Sequence, residues 1–141
     1  MKKLFIAAFM FVSTFTSNVL ADGHAIKMGI ILGFTGPIES LTPAMAASAE
    51  LAFKEASDSG SLLGGKMIKP IRADSTCVDS AAATTAAEGL ISQGVAAIMG
   101  ADCSGVTGAI ASNAAVPKGV VMISPSATSP GLTDLDDKGF F

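Results

Sequence analysis

The chain has 141 residues, with 9 basic and 12 acidic side chains and a formal charge of −3. Removing the two lysines of its extreme N-terminus leaves 7 basic against 12 acidic residues, a net of −5. No basic patch exists, which argues against nucleic acid or an anionic membrane surface as a partner.

Met1-Lys2-Lys3 precedes an apolar run from Leu4 to Phe15, and Val19-Leu20-Ala21 offers small or apolar residues before Asp22. This arrangement predicts a secretory signal over residues 1–21, because the run is too short for a bilayer span of about 20 apolar residues. Residues 22–141 are then one compact domain, expected to be soluble, exported and without a cofactor. Export places Cys77 and Cys103 in an oxidising compartment, where a bridge is the favoured reading. Metal ligation or a reactive thiol compete with it, but the lone His24 is distant in sequence and no zinc set is complete.

The elements alternate along the chain. Ile26–Gly33 reads as a buried strand. A helix follows over Pro43–Ser59, with Thr42 as its N-cap, Gly60 at its end and Met45, Ala49, Ala52, Phe53 and Ala56 on one face. Met67–Ala73 is a strand that Pro70 demotes to an edge. Asp79 caps an alanine-rich helix that runs to about Gln93 and closes at Gly94. Val95–Met99 is a third strand, Cys103–Ala115 a third helix stopped by Pro117, and Val120–Ile123 a fourth strand. The order β-α-β-α-β-α-β predicts an α/β fold: an open parallel sheet buried on both sides, with helices on both faces. The polar tail ends on Gly139-Phe140-Phe141 without a capping element, which suggests a truncated sequence whose next strand is missing.

In such a sheet, ligands sit outside the carboxyl ends of the strands. Three loops leave those ends: Phe34–Thr42, Gly100–Gly105 and Ser124–Pro130. The second opens a helix, where unpaired N–H groups favour an anion, with Ser104 beside them. Ser126 and Thr128 converge from the third, so the set suits a small zwitterion. The plainer alternative makes Ser104 an N-cap and "SPSATSP" a proline-stiffened turn.

Other chemistry fits poorly. Gly60–Lys66 matches GxxxxGK, yet Met67 replaces the magnesium-binding hydroxyl and the motif precedes a strand. A serine hydrolase built on Ser104 or Ser126 lacks a nearby base. Asp74, Asp79 and Asp102 fit no metal-ligand spacing; a strand end and a helix cap explain two of them. Met45 and Phe53 read as core.

Four stretches, "IKMGIILGFTGP" (Ile26–Pro37), "AELAFKEASDSGSLLGGKMI" (Ala49–Ile68), "GVAAIMGADCSG" (Gly94–Gly105) and "VVMISPSATSPGLTD" (Val120–Asp134), resemble the N-terminal part of periplasmic substrate-binding proteins of the branched-chain amino acid type. The resemblance implies the first lobe of a two-lobed type I fold, with ligand held between lobes. It implies a bridge between Cys77 and Cys103. Its ligand set would be Leu41, Cys103, Ser104, Ser126, Ala127 and Thr128, with Ser126 acting through its backbone and Thr128 through backbone and hydroxyl. Leu41 stands where relatives often carry an aromatic residue. The function implied is solute capture, without catalysis, of an amino acid or amide for an inner-membrane ABC permease. An extracytoplasmic sensor or receptor domain is the alternative. The ammonium contacts of the second lobe lie outside this sequence, so only half of a site is expected here.

Overall fold

A computed structural model describes residues 25–138. The predicted signal over residues 1–21 and the terminal Gly139-Phe140-Phe141 lie outside the described residues. Four strands, β1 (Ile26–Leu32), β2 (Ile68–Asp74), β3 (Ala97–Gly100) and β4 (Val121–Ile123), form one parallel sheet in the order β2-β1-β3-β4. The chain steps from β1 to β2 on one side and then to β3 on the other. A topological switch point therefore lies between β1 and β3. β2 is an edge strand, as Pro70 requires.

Helices cover both faces. Helix α1 (Thr42–Asp58) packs over Ile30 and Leu32, with Met45, Ala46, Ala49 and Phe53 against them. Helices α2 (Ser80–Ser92) and α3 (Ser104–Ile110) cover the other face around Ile31, Ile98 and Met122. Adjacent residues of β1 thus feed opposite cores. Ile30, Ile31 and Leu32 are completely buried, each contributing about 1.5–3 kcal/mol of transfer free energy. Ala83 and Ala87 are also fully buried and let α2 lie close to the sheet.

The strands follow the expected order with small shifts of boundary, but several details differ. Ala52 is exposed, and Ala46 takes its place on the inner face of α1. Burial on both sides holds for the second half of β1 and fails at β4, where Val121 and Ile123 are 47% and 69% exposed. Thr42 is not the N-cap. Leu41 occupies that position in a helical conformation with no side-chain cap, while the buried Thr42 hydroxyl donates to the Gly33 carbonyl at 3.1 Å. Asp79 does cap α2, accepting from the Ala81 and Ala82 amides at 2.9 and 3.0 Å.

Pro117 does not stop the third helix. α3 passes into a π turn over Ala111–Ala115 and then into α4 (Val116–Lys118). Proline lacks the N–H that would reach back to Asn113, and its ring crowds that carbonyl. The wider π turn just before it accommodates both. Termination falls to Gly119, whose left-handed φ of 65° suits a residue without Cβ.

Candidate functional site

Four loops, rather than three, build the carboxyl edge. The fourth follows β2 and carries Ser75, Thr76 and Cys77. Cys77 and Cys103 form a disulfide with Cα atoms 5.2 Å apart. Thr76 and Cys77 adopt φ of 58° and 70°, and the Thr76 carbonyl lies 2.5 Å from where a Cβ on Gly36 would sit. Only glycine fits that crossing.

Asp74, at the end of β2, ties this loop to the one after β1. It accepts from the Thr35 hydroxyl at 2.6 Å, the Thr76 amide at 2.8 Å and the Thr35 amide at 3.3 Å. Partial burial works to raise its pKa, but these hydrogen bonds, led by the Thr35 hydroxyl, together hold the carboxyl below its ordinary value. Nearby, Arg72 makes a two-pronged pair with Glu50 at 2.7 and 2.8 Å and lies 5.6 Å from the Phe34 ring centre. Hydrogen bonding within the pair lowers the Glu50 pKa and raises that of Arg72. This pair joins α1 to the edge strand on the exposed surface.

Apart from the Asp102 carboxylate, the other half of the edge is tied together by neutral groups. β3 ends at Gly100, whose φ is 131° and whose missing Cβ would lie 2.0 Å from the Ile31 carbonyl oxygen. The backbone therefore turns hard against β1 before entering Ala101-Asp102-Cys103-Ser104. The loop after β4 is fastened onto this turn by hydroxyls. Ser124 donates to the Ala101 carbonyl at 2.5 Å and accepts from the Ala127 and Ser126 amides at 2.8 and 3.3 Å. Ser126 donates to the Asp102 carbonyl at 2.9 Å. The Ser104 hydroxyl accepts from the amides of Thr128 and Ser129, both at 3.1 Å.

Cys103, Ser104, Ser126, Ala127 and Thr128 thus come together from two loops. The Ser124 and Ser126 hydroxyls secure the loop itself, a role that composition did not reveal. The exposed Thr128 hydroxyl and the Ser126 carbonyl make no hydrogen bond among the described residues. A groove of about 480 Å³ passes along Ala127, Thr128, Ser129, Pro130, Leu132, Thr133 and Asp137. Leu41 lies at the start of α1, 61% exposed and in neither apolar cluster.

Asp102 escaped the sequence reading as a site component. It is 4% exposed. Its Oδ2 accepts from the Gly33 amide at 2.9 Å, and its Oδ1 from the buried Ser75 hydroxyl at 3.4 Å. Both partners are remote in sequence, so no local spacing could have exposed the link. Among the described residues, no group of three or more His, Cys, Asp or Glu could hold a metal ion. No helix among them is long and apolar enough to cross a membrane.

Comparison with known proteins places this geometry in context. A Leu/Ile/Val-binding protein, BraC3, of Rhizobium johnstonii is 28% identical over 131 residues, covering 88% of this chain and 35% of that protein. The Leucine-specific-binding protein of Salmonella typhimurium is 31% identical over 118 residues, covering 84% and 31% respectively. Among solved structures, the branched-chain amino acid transporter substrate-binding protein LivJ of Streptococcus pneumoniae, in complex with isoleucine, superposes with a TM-score of 0.70 and 34% identity. It covers 78% of this chain and 31% of LivJ. The chain spans about a third of the length of the relatives it matches. Its sheet and helices form a type I lobe of the kind those structures contain. The periplasmic binding protein family matches residues 25–141, and the chain belongs to that family.

Proposed function

We propose that this chain supplies one lobe of an extracytoplasmic solute-binding protein that captures a branched-chain or related amino acid for import. The observation that carries the reading is the meeting of Ser104 with the Thr128–Ser129 backbone at the carboxyl edge, in a chain whose relatives bind leucine, isoleucine and valine. The Ser104 hydroxyl, which accepts from the Thr128 and Ser129 amides, keeps its own O–H to donate to a carboxylate, as does the Thr128 hydroxyl, while the Ser126 carbonyl can accept from an ammonium group. A neutral, hydrogen-bonding rim of this kind serves both ends of a zwitterion. Proline on either side of the loop, at Pro125 and Pro130, lowers the ordering cost on binding. The ligand then passes to an inner-membrane ABC permease, and the protein acts as a monomer in the periplasm after loss of residues 1–21.

Calorimetry of the full-length protein against leucine, isoleucine, valine and small amides tests this reading. Binding of at least one aliphatic amino acid is expected. Thr128→Ala should weaken that binding by about 1.5–3 kcal/mol, roughly tenfold or more in Kd. Absence of heat with every ligand, under conditions where the protein is folded, would overturn the proposal.

A further inference from the structure

We infer that Asp102 is a positioning residue for this site: through one residue, it ties the ends of β1, β2 and β4 to the loop that carries Ser104. The inference rests on the proposed function for its binding readout and on geometry for the rest.

The position is unusual. Asp102 follows β3 at the switch point, beside the carboxyl end of the adjacent β1. There its carboxylate takes the Gly33 amide, the first N–H beyond β1, at 2.9 Å, and the Ser75 hydroxyl beyond β2 at 3.4 Å. Its own carbonyl takes the Ser126 hydroxyl beyond β4 at 2.9 Å. The same residue therefore contacts the loops following all three other strands. Its chain neighbours extend the hub: Ala101 accepts from Ser124, Cys103 forms the disulfide and Ser104 holds the Thr128 and Ser129 amides.

A carboxylate that is 4% exposed is expensive to bury unless its hydrogen bonds are made. Its two acceptor contacts lie on a backbone amide and a fully buried serine, neither of which can move far. The rigidity of that anchor passes directly to Cys103 and Ser104, one and two residues on. Misplacing a binding group by about 1 Å can lose a factor of up to about 100, so an anchor two residues away matters for the site. Asp102 is not offered as a ligand contact, since both its oxygens face the protein.

The test compares Asp102→Ala and Asp102→Asn in the full-length protein, with Leu90→Ala on α2 as a destabilising control remote from the loops. Three readouts are taken: leucine and isoleucine affinity, melting temperature, and the 15N–1H resonances and hydrogen exchange of the Gly33, Thr128 and Ser129 amides. Asp102→Ala should weaken affinity about 10- to 100-fold, shift the Thr128 and Ser129 resonances and speed exchange at Gly33. Asp102→Asn keeps an acceptor for Gly33 and presents a donor to Ser75, so it should recover affinity to within about threefold. Leu90→Ala should lower the melting temperature and leave affinity and the Thr128 and Ser129 resonances near wild type. The inference is overturned if Asp102→Ala leaves those resonances and Gly33 exchange unchanged, or if Leu90→Ala reproduces its loss of affinity. Should the wild type bind no amino acid, the functional reading fails alone, because the amide resonances still report on the anchor.

Discussion

The two halves of the carboxyl edge are fastened by different chemistry. On the β1–β2 side the ties are charged, namely the Asp74 carboxylate on Thr35 and Thr76 and the Arg72–Glu50 pair, and the Cys77–Cys103 bridge runs covalently from the β2 loop there to the β3 loop. On the β3–β4 side, apart from the Asp102 anchor, they are hydroxyls and amides: Ser124 on Ala101, Ser126 on Asp102, Ser104 on Thr128 and Ser129. A fixed charge commits its surroundings to one sign of partner, whereas a hydroxyl donates or accepts as its neighbour requires. The neutral half is thus suited to meeting a ligand with both charges, and the other half to holding the frame on which that meeting takes place.

The sharpest way to break the comparison is to remove the bridge. Replacing Cys77 and Cys103 together by serine should lower the unfolding free energy by roughly 3–4 kcal/mol, from the separation of 26 residues, measured by urea denaturation. If the frame side sets stability and the neutral side sets binding, Ser124→Ala comes next. It deletes three hydrogen bonds at once and should cost about 1–2 kcal/mol in the same assay. It should also loosen the Thr128 loop, seen as faster hydrogen exchange at the Ala127 amide. An equal effect on stability from both changes would erase the distinction.

The smallest effect concerns acid. In the folded chain the Asp74 carboxyl is held below its ordinary value, so its stabilising contribution is complete above that ordinary value and is lost as pH falls through the lower, folded one. Between the two values the unfolded chain binds more protons, which fixes the sign: stability declines as pH drops. Unfolding free energies measured from pH 6 to pH 3 should fall less steeply for Asp74→Asn than for wild type. Parallel pH curves for the two proteins would show that the charged half does not depend on this carboxylate.

Much of the frame was legible from local residues. Pro70 marked the edge strand, Asp79 the start of α2 and the alternation of apolar runs the parallel sheet. These signals act within a few residues of where they are read. Pro117 misled because its effect depends on whether the helix can widen before it, which the π turn at Ala111–Ala115 allows. Thr42 misled because its hydroxyl answers to Gly33, nine residues back, rather than to its own helix. The meeting of Ser104 with Thr128 was legible through family likeness and through the rule that ligands gather at strand ends. Asp102 was not, since its partners Gly33 and Ser75 lie 69 and 27 residues away and only the assembled sheet brings them near.

The disulfide has a mechanical implication. It links loops that leave β2 and β3, yet β1 lies between those strands, so the sulfur strap spans three strands and passes over Gly33, with the Cys77 Cβ 3.2 Å from where a side chain there would begin. Spreading of the sheet at this end must therefore stretch a covalent link on one flank. On the other flank it meets the short ladder between β3 and the three-residue β4 and the hydrogen bonds of Ser124, Ser126 and Ser104. The Ser124–Ser129 loop therefore sits on the flank of the rim that hydrogen bonds hold, while the covalent strap closes the other.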